Sequence, residues 1–133
     1  MERDEQPQGL LVADSDVLVR HAIADYLRDC GYRVIEAASY DEAMTALNAG
    51  AFSIDCVMAD AELTGSGNGF ALRSWIIEHQ PGMPVILAGS VEAVAKSAAN
   101  LCEEGPHLAR PYDAQIVIDR VRRLMAERDR QAG

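Results

Sequence analysis

Four short apolar runs of this 133-residue chain end in side chains able to do chemistry. "LLVADSD" passes from Leu10–Ala13 into Asp14, Ser15 and Asp16, and "IDCVMAD" ends at Asp60. "PVILAGS" ends at Ser90, and "HLAR" ends at Arg110. Together they offer carboxylates, a hydroxyl and a fixed cation. Carboxylate oxygens are the donors that a hard divalent cation takes, and two acids side by side repel a phosphate unless a cation intervenes. Any one of these side chains alone reads as a solvated strand end. As neighbouring strands of one parallel sheet, the four would meet at a single rim, where such sheets bind ligands.

The elements needed to bring them there are legible. Five apolar runs stand at residues 9–13, 33–37, 54–59, 84–89 and 107–109. Segments of helical period lie between them. In 17–30, Val19, Ile23, Tyr26, Leu27 and Cys30 share one face, and Gly31 supplies a stop. Asp41 is a candidate cap for a second helix, with Ala43, Met44 and Leu47 inward. Further helices are expected at 69–79, 91–103 and 113–130, the last capped by Asp113 with Val117, Val121, Leu124 and Met125 on one stripe. This alternation predicts an α/β fold, a doubly wound (βα)5 unit with a five-stranded parallel sheet. Residues 1–8 read as a polar tail, 9–130 as one domain and 131–133 as a second tail.

Composition narrows the classes. The net charge is −9, and residues 1–112 hold seventeen acidic and seven basic side chains. An acidic body argues against direct nucleic-acid binding, which needs cations on phosphates. Residues 113–130 carry five arginines, at 120, 122, 123, 128 and 130, against four acids; these suit an acidic partner or, more commonly, a solvated helix face. No apolar window approaches a membrane span, and no leader pattern opens the chain. Cys30, Cys56 and Cys102, odd in number and without CxxC spacing, read as three small apolar side chains of a protein in a reducing compartment. Trp75 and Ile77 suggest a minor apolar spot on the third helix.

In order and spacing, "LLVADSD", "MADAELTGSGNGFAL", "PVILAGS" and "HLARPY" resemble the receiver domain of bacterial two-component response regulators over about residues 9–128. The resemblance implies a flavodoxin-like fold in the cytoplasm. It also implies a phosphoryl group passing from a sensor histidine kinase or phosphotransfer protein to Asp60. Mg²⁺ would be held by Asp60, a carboxylate of the first-strand cluster such as Asp14, and the Glu62 backbone carbonyl. Arg110 would contact the phosphate, with Pro111 after a cis peptide. Ser90 would be the switch hydroxyl. His107 stands at the switch-ring position, and reads equally as an edge-strand residue with no role. Such a chain is no enzyme beyond its own phosphoryl transfer and dephosphorylation. With only "QAG" after Arg130, output is expected through contact with a downstream protein, and a homodimer through helix 4, strand 5 and helix 5 is expected as the pairing mode.

Several positions depart from that pattern. Ser15 stands where the family has a second acid, and a hydroxyl is a weaker ligand for a hard cation; Asp16 and Glu62 are both candidates to restore the charge. Weakened Mg²⁺ binding is therefore expected. Arg110 replaces a lysine, a flat fork in place of a point charge. The hydroxyl position falls nearest Gly89, with Ser90 one residue on, and Thr64 stands where proline is common. The alternative is a degenerate receiver, an interaction module independent of phosphorylation. Two other classes share the sheet. A nucleotide- or flavin-binding domain would want a glycine-rich first turn, and "ADSDV" has none. An aspartate-nucleophile phosphatase would use Glu62, two residues after Asp60, as general acid, but no substrate-capping insertion is visible.

Overall fold

The computed structural model describes residues 8–50, 53–104 and 114–132. The order along the chain is β1 (Gly9–Ala13), α1 (Val17–Asp29), β2 (Arg33–Ala37), α2 (Tyr40–Ala49), β3 (Cys56–Asp60), α3 (Gly69–His79), β4 (Val85–Ala88), α4 (Val91–Glu104) and α5 (Ala114–Ala132). The strands form a parallel sheet in the order β2-β1-β3-β4. These are the first four positions of the flavodoxin-like order. The expected five-stranded sheet is thus four-stranded among the described residues, and the run 107–109 lies outside them.

Alternation along the central strands winds the chain on both faces. Leu10, Val12, Cys56 and Met58 point into a core with α1, α4 and α5, whereas Leu11, Ala13, Val57 and Ala59 point to α2 and α3. Both central strands are buried on both faces, which is why their sequences are apolar runs and not alternating patterns. Burying Leu11, Ile23, Leu27, Leu72 and Ile76 contributes about 2 kcal/mol for each side chain.

Helix ends follow local chemistry, with one revision. Gly31 adopts φ 105° and closes α1, with the Gly31 and Tyr32 amides donating to the Arg28 and Leu27 carbonyls. The cap of α2 is Ser39, not Asp41. The Ser39 hydroxyl accepts from the Glu42 amide, and the Glu42 carboxylate accepts from the Ala38 amide, a reciprocal box that Asp41 could not make. Asp41 instead accepts from the Ser66 amide at 3.0 Å and anchors the β3–α3 loop. The Ser66 hydroxyl and amide hold its carboxyl below the ordinary range. The Asp113 cap lies outside the described residues. On α3, Ile77 is exposed while Trp75 packs on the core and stacks against His79.

The cysteines correct the reading of three free thiols. Cys30, at the end of α1, and Cys102, near the end of α4, are fully buried and joined as a disulfide with Cα atoms 5.6 Å apart. Only Cys56 is free. Seventy-two positions separate the pair, so sequence spacing carried no sign of it, and cysteine usage no longer argues for a reducing compartment. Tyr32 reinforces the same junction, its hydroxyl donating to the Leu101 carbonyl at 2.6 Å. Unfolded without reductant, the protein is expected to take one thiol label, at Cys56, and three after reduction, read by intact mass. Reduction should lower the unfolding free energy by about 2–4 kcal/mol, since it releases a long closed loop; three labels without reductant would mean the two sulfurs only pack together.

Candidate functional site

The register of β1 on β3 builds the site. Ala13 pairs with Ala59, so the next residues, Asp14 and Asp60, leave adjacent strands side by side, roughly one strand spacing of about 4.8 Å apart in backbone. Asp14 continues the ladder through its amide, which donates to the Ala37 carbonyl at 3.0 Å. From β1 the chain moves to β2 on one side, and from β3 to β4 on the other. The two acids therefore sit at the switch point, where a crevice opens.

Asp14, Asp16, Asp60, Gly89 and Ser90 line a cavity of about 150 Å³, walled by Val19, Ala88, Val91, Val94 and Met125. Asp14 is the one buried charged residue among those described. Burial raises its carboxyl from the ordinary 3.8 to about 6, the Asp16 amide opposes this, and the neighbouring charges of Asp60 and Asp16 add to it. Asp60 Oδ1 accepts from the Glu62 amide at 3.2 Å, which orients the carboxylate over the turn. Gly69 sits against that turn: a Cβ there would collide with the Asp60 carbonyl oxygen and lie 2.9 Å from the Ala61 Cα.

The neighbouring polar residues are already engaged. Ser15 follows Asp14 beyond the end of β1 and is turned to the β3–α3 loop. Its hydroxyl accepts from the Thr64 amide at 3.0 Å and lies 2.8 Å from the Thr64 hydroxyl. Asp16 caps α1, Oδ1 accepting from the Leu18 and Val19 amides, and pairs with Arg128. Glu62 is exposed and does not line the cavity. The Ser90 hydroxyl accepts from the Ala93 amide at 3.1 Å, which caps α4 and leaves its proton to donate into the cavity. Asp14, Asp60 and Ser90 are thus brought together, Ser15 and Glu62 are not, and His107, Arg110 and Pro111 lie outside the described residues.

A divalent cation suits this site only in part. Two adjacent strand-end carboxylates, one made harder to ionise by burial and further by its neighbour, are a pair that a cation would relieve. Among the described residues, however, no three His, Cys, Asp or Glu side chains are grouped to hold a metal. Two cations stand by these acids that the sequence analysis did not assign to the site: Arg20, and Arg128, read there only as part of an arginine-bearing helix face. Arg20 Nη1 donates to the Asp14 carbonyl at 3.1 Å while its Nε pairs with Glu36 at 3.0 Å. Burial opposes ionisation of Glu36, but hydrogen bonds from Arg20, His21 and Arg28 outweigh it and hold that carboxyl low. Arg20, one turn past the Asp16 cap, carried a usable signal; Arg128, 112 residues from Asp16, carried none.

Residues 10–122 match the family described as the response regulator receiver domain. The response regulator protein FleR of Pseudomonas aeruginosa is 27% identical over 115 residues, 86% of this chain and 24% of that protein. The two-component response regulator-like protein APRR9 of Arabidopsis thaliana is 30% identical over 87 residues, 64% of this chain and 18% of that protein. The chain thus spans less than a quarter of these relatives' length. Among solved structures, the receiver domain of NtrX from Brucella abortus is 31% identical with a TM-score of 0.56, covering 90% of this chain and 95% of that one. A putative response regulator from Chloroflexus aurantiacus is 28% identical with a TM-score of 0.58, covering 91% and 99%.

Two outcomes test this geometry. Because the Asp14 carboxyl is raised on folding, its contribution to stability is complete below about pH 3.8 and lost as pH rises through about 6. Asp14→Asn should therefore stabilise the protein at pH 7.5 by ~2–3 kcal/mol and change little at pH 4 in urea unfolding; equal stability at both pH values would remove burial as the control. Gly69→Ala should destabilise by about 1–3 kcal/mol, because the turn carrying Asp60 must move.

Proposed function

The chain belongs to the response regulator receiver domain family, and on that premise we propose that Asp60 accepts a phosphoryl group from a phosphohistidine of a sensor kinase or phosphotransfer protein. The observation that supports this most is the side-by-side placement of Asp14 and Asp60 at the switch-point cavity. In this reading an Asp60 carboxylate oxygen forms a bond to phosphorus as the P–N bond breaks. The imidazole leaves with the electron pair and takes a proton from water. Receivers are signalling modules, and the output here is contact with a downstream protein.

An anion entering a cavity lined by two carboxylates meets repulsion that the protein must offset. Mg²⁺, when bound, would supply the positive charge between the acids and the phosphoryl oxygens. Asp14 and Asp60 would hold it, with the Glu62 carbonyl as the third protein donor. Ser15 faces Thr64, so weak affinity follows from a donor set that is one acid short. In this reading Ser90 donates its proton to a phosphoryl oxygen while its oxygen keeps capping α4. A hydrogen bond there would couple the state of Asp60 to the first turn of α4. Arg110 remains the proposed phosphate contact and His107 the proposed switch ring. Pairing through helix 4, strand 5 and helix 5 would form a homodimer, and the setting is the cytoplasm, where such donors act. Among the described residues, no helix is long and apolar enough to cross a membrane.

The engagement of Asp16 by Arg128 and of Ser15 by Thr64 favours one other reading, an interaction module that works without phosphorylation. Incubation with Mg²⁺ and acetyl phosphate separates the two. Intact mass should rise by one phosphoryl group, and Asp60→Asn should abolish the rise. An unchanged mass, also with a phosphorylated cognate kinase, would leave the interaction module.

A further inference from the structure

The cavity has a wall that the acidic residues do not explain. Helix α5 reaches it from the far end of the chain, with Met125 among its lining residues and Arg128, one turn on, paired with the lining residue Asp16. One guanidinium nitrogen of Arg128 lies 3.2 Å from both Oδ1 and Oδ2 of Asp16. Asp16 is in turn held to Asp14, whose Oδ1 accepts from the Asp16 amide at 2.9 Å. Three carboxylates border one small cavity, and one of them, Asp16, is paired with a cation of α5.

We propose that Arg128 is a positioning residue that latches the end of α5 onto the lip of the acidic cavity, so that filling the cavity with a cation releases the helix. This rests on the reading of Asp14 and Asp60 as a cation site. A divalent ion there draws on the same negative charge that holds Arg128 and repels the guanidinium. The side chains of Arg128 and Asp16 are 43% and 29% exposed, and an ion pair so exposed is weak. A weak pair suits a latch, because a single cation can outcompete it. Binding and release are then linked in both directions: whatever loosens α5 must tighten cation binding by the same factor. The latch also gives the cavity a route to the surface independent of Ser90, through a helix that packs on both α1 and α4.

The test uses the full chain with Mn²⁺ as probe, hydrogen exchange over residues 124–132, and calorimetric titration. Asp16→Asn removes the charge but keeps a side chain that caps α1 equally well. Arg123→Ala removes an exposed arginine of the same helix that makes no ion pair among the described residues, and controls for net charge. Without metal, exchange at the end of α5 should be several-fold faster in Arg128→Ala and in Asp16→Asn than in the unaltered chain or Arg123→Ala. Saturating Mn²⁺ should bring the unaltered chain to the Arg128→Ala rate. Arg128→Ala should bind Mn²⁺ about threefold more tightly than Arg123→Ala, the scale of one cation removed at several ångströms in water. Identical metal-free exchange in the four proteins would overturn the latch, and equal Mn²⁺ affinity in the two alanine variants would overturn its coupling to the cavity. If no protein binds Mn²⁺, the cation-site reading fails while the metal-free exchange still decides whether the latch exists.

Discussion

The burial of Asp14 beside Asp60 is the constraint that organises this protein. Backbone hydrogen bonds between β1 and β3 set the register, and the register sets the two carboxylates next to each other. The Asp16 amide and the charge of Arg20 relieve the acid only in part: Asp14 is buried, and its carboxyl is pushed up to about 6. The unfavourable pairing persists because two apolar layers fix the strands from either side. Strain of this kind at a strand end is characteristic of a site that waits for a ligand.

The surroundings can be read as responses to that charge. Arg20 donates to the Asp14 carbonyl, so it steadies the strand end while its charge only partly offsets the burial of the acid. Asp16 spends its oxygens on the first turn of α1 and on Arg128. Ser15 is bonded to the β3–α3 loop. A serine in that position gives the β3–α3 loop a bond to Thr64, and Asp41 fixes the same loop from α2 through Ser66. The loop that carries Asp60 forward is therefore tied to two separate elements, while the cavity side stays open to Ser90 and the end of α5.

Helices α1, α4 and α5 share the face on which the cavity opens. The far ends of α1 and α4 are joined through Cys30, Cys102 and Tyr32, while beside the cavity Val19, Val94 and Met125 pack together and the ion pairs of Asp16 with Arg128 and of Glu92 with Arg122 bridge the helices. The covalent link lies away from the acids. An event at Asp60 would then act on the helix ends that this link does not hold, which is where a signal to a partner has to begin.

Much of this was written in local sequence. The apolar runs ending in Asp14, Asp60 and Ser90, the helical stripe of α1 and the stop at Gly31 depend on neighbours within a few residues. Side-chain period and turn chemistry were enough to place them, and the parallel order of alternating strands and helices brought the three polar ends to one rim. Tertiary structure decided what distance along the chain conceals. The facing of Ser15 toward Thr64, the capping of α2 by Ser39 over Asp41, the joining of Cys30 to Cys102 and the reach of Arg128 to Asp16 all turn on which of several satisfiable partners arrives first in space. A residue's own type declares what it can bond to; only the packed chain, by fixing register and helix placement, selects the partner.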